Sequence, residues 1–377
     1  MLHLLSRITK SSQIFPSSLE LTGVRCDLSC AKNEGGFGCI YQGELKGQTV
    51  CVKAVRPFQT RDNKQALRAH AAEFTLWSHI CHPNVLPFCG VYLSDESLPR
   101  ICIVSPWMEL GSLASFLKLF PGESRHDKLS DIISGLQHLH ELEIVHSDLK
   151  ANNVLVSLTR RAVLADFGAS IISTITPGTT TRADFTGTPN WMAPELLTAD
   201  VIPPPTLASD MWAFGCTCYE VLAPVLMLTF MSNSSAVKVM TSEIPFAECR
   251  GIVGLLHAFA ERRATPSRPD EVNTDLELVW PLLERCWDYN SERRPSADEA
   301  KQIFDDLNIE DDRPPADEDD GMQLLASLRE ERKLKSDTIT IDYGCVHTVL
   351  LKVQSIYRET LKNGKALNCT CQCHGSP

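Results

Sequence analysis

The chain has 377 residues, of which 43% are hydrophobic and 22% charged, a composition typical of a globular protein with a large core. Its formal charge of −11 is concentrated in residues 305–320, which contain nine acids and one arginine. Because the rest of the chain carries only −3 and has no basic stripe, the composition argues against nucleic-acid binding.

Fifteen cysteines are scattered through apolar runs such as 101–103 and 214–218. They predict buried free thiols in a reducing compartment, and therefore a cytoplasmic protein, rather than a disulfide framework. The longest apolar stretch, 221–231, contains Pro224 and is too short to span a membrane. Residues 1–19 lack acids and are rich in serine, so they are either a mitochondrial transit peptide or a flexible N-terminus, and we favour the second interpretation.

In chain order, the first part of the sequence combines strand-like runs at 48–55 and 100–104 with one helical stretch at 64–78. Helices dominate after Gly111 and are predicted at 113–120, 128–141, 209–222, 276–286 and 297–307. The change of pattern near residues 107–111 predicts a small sheet-rich lobe followed by a larger helical lobe.

The composition changes again after Leu307. Residues 309–321 form an acidic linker that contains prolines, and we expect it to be disordered and to pack against nothing. Helix-like stretches follow at 322–335 and at Val346–Leu361; the second is amphipathic and is expected to dock on a lobe or on a partner. The cysteines and histidine of 369–374 form one compact cluster without a second ligand pair, which argues against a zinc site.

A glycine-rich hairpin is predicted at residues 33–40, Asn-Glu-Gly-Gly-Phe-Gly-Cys-Ile. Without a Cβ, glycine lets such a turn lie close over phosphate groups, although most Gly-rich hairpins are simply turns. Lys53 follows in the apolar run 50–53. Burying a lysine costs free energy unless an anion meets it, and the candidate anions are phosphate oxygens and Glu73 on the following helix. The alternative is a lysine at a strand end that reaches solvent.

Two polar loops follow the lysine. Asp148, Lys150 and Asn153 lie between apolar runs in residues 144–156, and Asp166 ends the apolar run that begins at Val163. Phosphoryl transfer needs a carboxylate to accept the hydroxyl proton, a cation near the transferred phosphate, and hard oxygen ligands for Mg²⁺. One such loop is also compatible with a simple Asx turn, but two of them in this order favour chemistry.

These motifs resemble those of the eukaryotic protein kinases, and within them the tyrosine-kinase-like Ser/Thr group, over about residues 21–308. The resemblance implies an α+β, bilobal protein kinase fold, with a β-rich N-lobe (21–105) that has one main helix, a hinge (106–110) and an α-helical C-lobe (111–308). It also implies that Asp148 is the catalytic base, that the substrates are Ser and Thr hydroxyls of proteins, and that ATP and Mg²⁺ are the cofactors. Lys150 and the segment 187–195 resemble Ser/Thr rather than tyrosine kinases.

The resemblance implies further roles residue by residue. Lys53 binds the α- and β-phosphates and pairs with Glu73, and Lys150 contacts the γ-phosphate. Asn153 and Asp166 ligate Mg²⁺. In the hinge, the Pro106 carbonyl and the Met108 N–H remain available to adenine, with Ser105 as a small gatekeeper. The residues expected to contact the nucleotide are Asn33, Glu34, Gly35, Gly36, Phe37, Gly38, Ile40, Lys53, Ser105, Pro106, Met108, Asn153 and Asp166. Farther along, Arg294 is expected to pair with Glu195, and residues 210–215 to begin a buried central helix.

Three positions depart from the family pattern. Asn33 replaces the first glycine of the hairpin, and because Asn tolerates the left-handed region we expect weaker nucleotide affinity rather than loss. Cys51 replaces the alanine that packs on adenine, a mild change. Ser147 replaces the arginine that in the family pairs with an activation-loop phosphate. We therefore expect little dependence on phosphorylation of the Thr-rich loop 170–186.

Residues 223–240 also interrupt the pattern, because joining Leu222 to Thr241 restores it. They are either a genuine insertion or a retained intron. An alternative to the active enzyme is a pseudokinase, a binding or scaffold module without chemistry. The filled catalytic positions favour activity, whereas Asn33 and the insertion favour the alternative. Because the motifs end near Leu307, we expect residues 309–377 to be dispensable for catalysis.

Overall fold

The structure is a computed structural model that describes residues 16–35, 38–55, 71–94, 100–166, 188–199, 203–223, 226–232, 235–241, 244–249, 251–269, 274–307, 311, 313–314 and 320–337. A sheet-rich N-lobe precedes a helical C-lobe, so the predicted α+β bilobal fold is confirmed. Among the described residues, no helix is long and apolar enough to cross a membrane.

The N-lobe is built on an antiparallel sheet of six strands: β1 (Arg25–Cys26), β2 (Asn33–Gly35), β3 (Gly38–Leu45), β4 (Gln48–Val55), β5 (Gly90–Leu93) and β6 (Ile101–Pro106). The order is β1-β3-β4-β6-β5, and β2 also pairs with β3. Lys46 and Gly47 join β3 to β4 with φ angles of 54° and 78°, a two-residue turn that matches the twist of the strands. Because side chains alternate along a strand, Val52 and Lys53 lie on opposite faces of the sheet.

One helix, α1 (Ala71–His79), accompanies this sheet. It contains the C-terminal part of the helix predicted at 64–78, and residues 56–70 lie outside the described ranges. Two of its aromatic rings stack on Phe88, with centroid distances of 5.9 Å for Phe74 and 5.0 Å for Trp77. These contacts join α1 to the protein core.

The C-lobe contains α2 (Leu113–Leu119), α3 (Arg125–Glu141), α4 (Pro194–Thr198), α5 (Leu207–Leu222), α6 (Gly251–Arg262), α7 (Thr274–Cys286) and α8 (Ala297–Asp306), with a two-stranded sheet of β7 (Val154–Val156) and β8 (Ala162–Leu164). Helix α5 is the central one: Thr206 and Ser209 form a capping box at its start, and Trp212 and Phe214 are fully buried. The cysteines of the described part are free, as predicted, and burial raises the pKa of the Cys286 thiol to about 12.

Helix α5 ends at Leu222, as the following Pro224 predicts. The next elements, β9 (Leu226–Ser232) and β10 (Ser235–Thr241), pair antiparallel in a two-stranded sheet of their own. The segment that interrupts the family pattern is therefore largely one hairpin. Its bounds differ slightly from the prediction, because Ala223 is buried and caps α5 through its N–H bond to the Tyr219 carbonyl (2.8 Å).

Two described segments, residues 16–20 and the acidic linker, pack more than the sequence predicts. We expected residues 1–20 to be flexible; 1–15 lie outside the described ranges, but Ser17–Leu19 form a short 3₁₀ helix and Leu19 is buried in the core. We expected 309–321 to pack against nothing, but Arg313 donates two hydrogen bonds to the Asp131 carboxylate of α3 (2.6 and 3.1 Å). A single buried ion pair can anchor a segment that has almost no apolar content, which the composition does not reveal.

A final helix, α9 (Asp320–Asp337), contains the stretch predicted at 322–335 and packs on the N-lobe. The amphipathic stretch Val346–Leu361 and the cysteine-rich end 369–374 lie outside the described residues.

Candidate active site

Asp148 lies in the loop between α3 and β7 and its side chain is almost fully buried. The Asn153 amide donates to Asp148 Oδ2 (2.6 Å) and to the Asp148 carbonyl (2.7 Å). Lys150 Nζ lies 3.0 Å from the same Oδ2. The three polar residues at offsets 0, +2 and +5 thus converge on one carboxylate, because the short 3₁₀ turn Ala151–Asn153 folds the chain back on itself.

Thr188 completes the surroundings of this carboxylate from a distant part of the chain. Its N–H donates to Asp148 Oδ1 (3.2 Å), and its hydroxyl accepts a hydrogen bond from Lys150 and lies 3.4 Å from Oδ1. Within the segment 187–195, which resembles Ser/Thr kinases, the role of Thr188 was not predicted. The consecutive residues Gly187, Thr188 and Pro189 are a sequence signal for a turn at this point. Such a turn does not reveal that the Thr188 side chain faces Asp148.

Asp210, in the first turn of α5, shapes the backbone before the catalytic loop. Its buried carboxylate accepts from the N–H of His146 (2.7 Å) and of Ser147 (2.8 Å), and its Oδ2 lies 3.0 Å from His140 Nε2. Ser147 has a φ of 63°, a left-handed conformation that these bonds help to hold. Burial lowers the pKa of His146, so its neutral Nδ1 can accept the Asp148 N–H (3.4 Å).

Glu220 is a second organising carboxylate that the sequence analysis missed. It accepts from the Ala151 N–H and from the Trp191 indole, both at 3.0 Å. Burial raises its pKa, and these two donors oppose that shift. Glu220 therefore links the loop that contains Asp148 to the segment that contains Thr188. The sequence signal for this role was an acidic residue within a mostly apolar helix, because a buried carboxylate needs hydrogen-bond donors.

Asp166 follows β8 with a φ of 60°, and its carboxylate pairs with Lys53 Nζ across the two lobes. The Ala165 N–H donates to the Asn153 carbonyl (2.9 Å), which holds the two polar loops side by side. The pairing of Lys53 with Asp166 was not predicted. Glu73, the side chain expected to pair with Lys53, belongs to α1 and lies outside the described part of the structure.

The oxygen donors at these loops fit a magnesium ion. Because the Asn153 Nδ2 donates to Asp148, its Oδ1 is left as an acceptor, and the Asp166 carboxylate is the second oxygen donor on the neighbouring loop. Among the described residues, no three His, Cys, Asp or Glu side chains cluster as a metal site. Mg²⁺ commonly takes one or two protein oxygens and completes its shell with phosphates and water, so Asn153 and Asp166 together would be enough to hold it.

The predicted glycine-rich hairpin is present in the backbone. Strands β2 and β3 pair with Asn33 opposite Ile40, Glu34 opposite Cys39 and Gly35 opposite Gly38. Gly36 and Phe37 lie outside the described residues. Ile40 of β3 is also paired with Lys53 of β4. The base of the hairpin is therefore next to the lysine in the sheet.

The predicted hinge begins where β6 ends at Pro106. The buried Ser105 is opposite Cys51 of β4, and burial raises the pKa of the Cys51 thiol to about 11, which keeps it neutral. Met108 and Leu155 each pack against a small buried cluster of Leu86, Val163 and Ala165. Neutral and apolar surroundings of this kind suit a planar base.

Comparison with known proteins gives matches over the same region. Residues 33–304 match the sequence model of the family described as "Protein kinase domain". The chain is 28% identical over 269 residues to "Mitogen-activated protein kinase kinase kinase 3" of Arabidopsis thaliana, covering 70% of this chain and 39% of that protein. It is 27% identical over 277 residues to "Serine/threonine-protein kinase STY17" of the same plant, covering 72% and 43%.

A third similar protein is "Cytokinesis protein sepH" of Aspergillus niger, 34% identical over 194 residues, which cover 50% of this chain and 14% of that protein. The chain spans about two-fifths of the length of the two plant relatives. The segment that matches the family model contains the residues that converge on Asp148, together with Lys53 and Asp166.

Proposed function

The chain belongs to the protein kinase family, within its tyrosine-kinase-like group, and from this premise we propose that it transfers the γ-phosphate of ATP to Ser or Thr hydroxyls of protein substrates. The observation that carries the proposal is the convergence of Asn153, Lys150 and Thr188 on the Asp148 carboxylate.

Asp148 acts as the base. Asn153 on Oδ2 and the Thr188 N–H on Oδ1 fix the plane of the carboxylate. The Thr188 hydroxyl lies 3.4 Å from Oδ1, at the long end of hydrogen-bond distances, so a substrate hydroxyl that donates to Oδ1 can take its place there. As the hydroxyl oxygen bonds to the γ-phosphorus, the bond from that phosphorus to the β,γ-bridging oxygen breaks, ADP leaves with the electrons of that bond, and the hydroxyl proton passes to Asp148. Lys150, beside the base, offsets negative charge on the phosphoryl group.

Lys53, Asn153 and Asp166 hold the nucleotide. Lys53 lies within reach of Asp166 and places its ammonium where the α- and β-phosphates are expected, below the β2–β3 hairpin. Asn153 Oδ1 and the Asp166 carboxylate supply the protein oxygens for the metal. Mg²⁺, when bound, neutralises negative charge between adjacent phosphates. The hinge at Ser105, Pro106 and Met108 receives adenine.

The substrate class rests on Lys150 and on the segment 187–195, which resemble those of Ser/Thr rather than tyrosine kinases. Lys150 and Thr188 meet beside the Asp148 carboxylate, where a substrate hydroxyl is expected to lie. One of the similar proteins is itself named a serine/threonine-protein kinase, which supports the same class.

A pseudokinase is the second candidate, favoured by Asn33 at the start of the hairpin, where the family has glycine. Such a module would bind ATP or a partner protein without transferring phosphate. The arrangement around Asp148 favours the enzyme, because a scaffold has no need to orient this carboxylate.

Radiolabel transfer from ATP to a generic basic protein, followed by phosphoamino-acid analysis, tests the proposal. We expect Mg²⁺-dependent labelling of serine and threonine, and a fall in kcat of at least about a hundredfold for Asp148→Asn and for Lys53→Met. Both variants should melt near the wild-type temperature because neither removes core volume. Thermal stabilisation by Mg²⁺ and ATP without transfer would identify the pseudokinase.

A further inference from the structure

Helix α9 covers one face of the N-lobe sheet. Leu324, Leu325 and Leu328 are only 2–4% exposed. Leu324 and Leu328 belong to the same apolar cluster as Val52 and Val104 of the sheet. Because Val52 and Lys53 point to opposite faces, α9 lies on the side of the sheet that faces away from the active site. Removing α9 would expose apolar surface that the sheet itself cannot cover.

Polar contacts fix the position of α9 along this face. Lys46, in the turn between β3 and β4, pairs with Glu331. Arg332 donates to the Cys89 carbonyl and, through Nε, to the Ser18 carbonyl (3.0 Å). The two bonds from Arg332 join a charged donor to backbone carbonyls, whereas the pair of Lys46 and Glu331 lies at the surface; the helix cannot rotate or slide without breaking these contacts.

Arg329 reaches from α9 to the end of α1. Its Nη2 donates to the Ile80 carbonyl (3.2 Å) and lies 3.5 Å from the Ser78 carbonyl. Ser78 is in the last turn of α1, where helix carbonyls have no partner within the helix. A cation at this end also interacts favourably with the helix dipole. Arg329 therefore caps the helix that contains Glu73.

The chain segment before α9 is anchored to the other lobe. Arg313 holds Asp131 through two hydrogen bonds. Arg161 donates to the Asp311 carboxylate (3.1 Å) and to the Pro314 carbonyl (2.9 Å). Because this anchor lies shortly before α9 begins, it keeps the helix at a high effective concentration near the N-lobe.

We propose that α9 is an intramolecular cap on α1 and that Arg329 is a positioning residue, which acts on nucleotide binding through the placement of α1. The inference rests on the proposed function, since α1 matters to catalysis through Glu73 and Lys53. It also replaces the expectation that residues 309–377 are dispensable, because a segment that fixes α1 is part of the working domain.

The test uses full-length protein with Arg329→Ala, the conservative Arg329→Lys, and Glu330→Ala as a matched control. Glu330 is the exposed neighbour of Arg329 on α9. We expect Arg329→Ala to raise KM for ATP about tenfold and to speed hydrogen exchange of residues 71–79 by a similar factor. In Arg329→Lys, the KM for ATP and the exchange rate of residues 71–79 should both be close to the wild-type values. In Glu330→Ala, both quantities should stay within about twofold of wild type.

Two results would overturn the inference. One is a lower melting temperature of Arg329→Ala while hydrogen exchange of residues 71–79 and the KM for ATP stay unchanged. Arg329 would then have only a structural role. The other is an equal effect of Glu330→Ala. If the alanine variant does not fold, Arg329→Gln replaces it. If the wild-type protein transfers no phosphate, the proposed function fails, yet hydrogen exchange of 71–79 still decides whether α9 caps α1.

Discussion

Arg294 holds Glu195 through two parallel hydrogen bonds, with Nη1 2.7 Å from Oε1 and Nη2 2.8 Å from Oε2. Its side chain is fully buried, donates to the Asp288 and Ala208 carbonyls (both 2.9 Å), and lies 5.2 Å from the centre of the Trp212 ring. The pairing predicted from the resemblance is therefore confirmed. It ties α4, which follows Thr188, to the centre of the C-lobe.

Breaking this pair should destabilise the C-lobe strongly. Arg294→Met leaves Glu195 without its partner and should lower the free energy of unfolding by about 3 kcal/mol. Denaturant unfolding measures the change. Arg285→Met is the control, because Arg285 and Glu299 are about half exposed and 3.4 Å apart. Its cost should stay below about 1 kcal/mol. If Arg294→Met and Arg285→Met lower the free energy of unfolding equally, burial does not make the pair of Arg294 and Glu195 more stabilising than the exposed pair.

The hydroxyl of Thr188 should matter for turnover. Thr188→Val keeps the shape and the N–H that donates to Asp148, but loses the group that accepts from Lys150. We expect kcat to fall about ten- to a hundredfold, because Lys150 and the base lose their common partner. Thr188→Ser keeps the hydroxyl and should retain most of the activity. Steady-state kinetics of the two variants test this prediction. If Thr188→Val and Thr188→Ser have similar kcat values, the Thr188 hydroxyl has no role in turnover.

Activity should not depend on an activation-loop phosphate. Ser147 uses its N–H to bind Asp210 and has no cationic side chain with which to hold a phosphate. Phosphatase-treated protein should therefore keep its activity within about twofold of untreated protein. Complete loss after treatment, with recovery when the loop is phosphorylated again, would show that another cation takes the arginine's place.

The contact between His82 and His138 should make stability fall in mild acid. The two rings stack with centroids 4.9 Å apart, and His82 Nδ1 accepts the Asn84 N–H (3.1 Å). Burial, assisted by the neighbouring His138 and Lys301, lowers the pKa of His82 to about 4. An unfolded histidine titrates near 6.5, so between these values the unfolded chain binds the additional proton and stability is lost as pH falls.

The measurement is the free energy of unfolding at pH 7.5 and 5.5. Wild type should lose about 1 kcal/mol more than His82→Asn over this interval, allowing for partial solvent screening. His257→Asn is the control, because the His257 side chain is 62% exposed. If His82→Asn shows the same pH dependence as wild type, the stacked pair does not contribute to it.

Deleting residues 224–240 should preserve catalysis. The hairpin pairs only with itself in its sheet, and Ala223, which caps α5, is kept. Since the run that begins at Val225 is strongly apolar, soluble yield should rise. Expression yield and kcat of the deletion variant test this, and misfolding would show that the hairpin is integral. Transcript sequencing across the junction between Leu222 and Thr241 separates an insertion from a retained intron.

Much of this protein could be predicted from its sequence because the relevant signals are local. Asp148, Lys150 and Asn153 are near neighbours in the chain, so their convergence depends on a single turn. The apolar run at 50–53 indicates a strand, and Pro224 stops α5 at Leu222 by steric exclusion of the helix. The order of these local motifs was also enough to identify the family, because few unrelated sequences contain all of them in that order.

The tertiary structure decided what depends on contacts between distant residues. Thr188, Asp210 and Glu220 act on the catalytic loop from 40 to 69 positions away, and no local pattern shows which polar side chain turns inward. The packing of the acidic linker and of α9 is of the same kind. The composition of the linker predicts disorder, and the helical pattern at 322–335 does not say where that helix packs. One bidentate ion pair holds the linker on the C-lobe and buried leucines hold α9 on the N-lobe, because burial depends on the partner surface as much as on the segment itself.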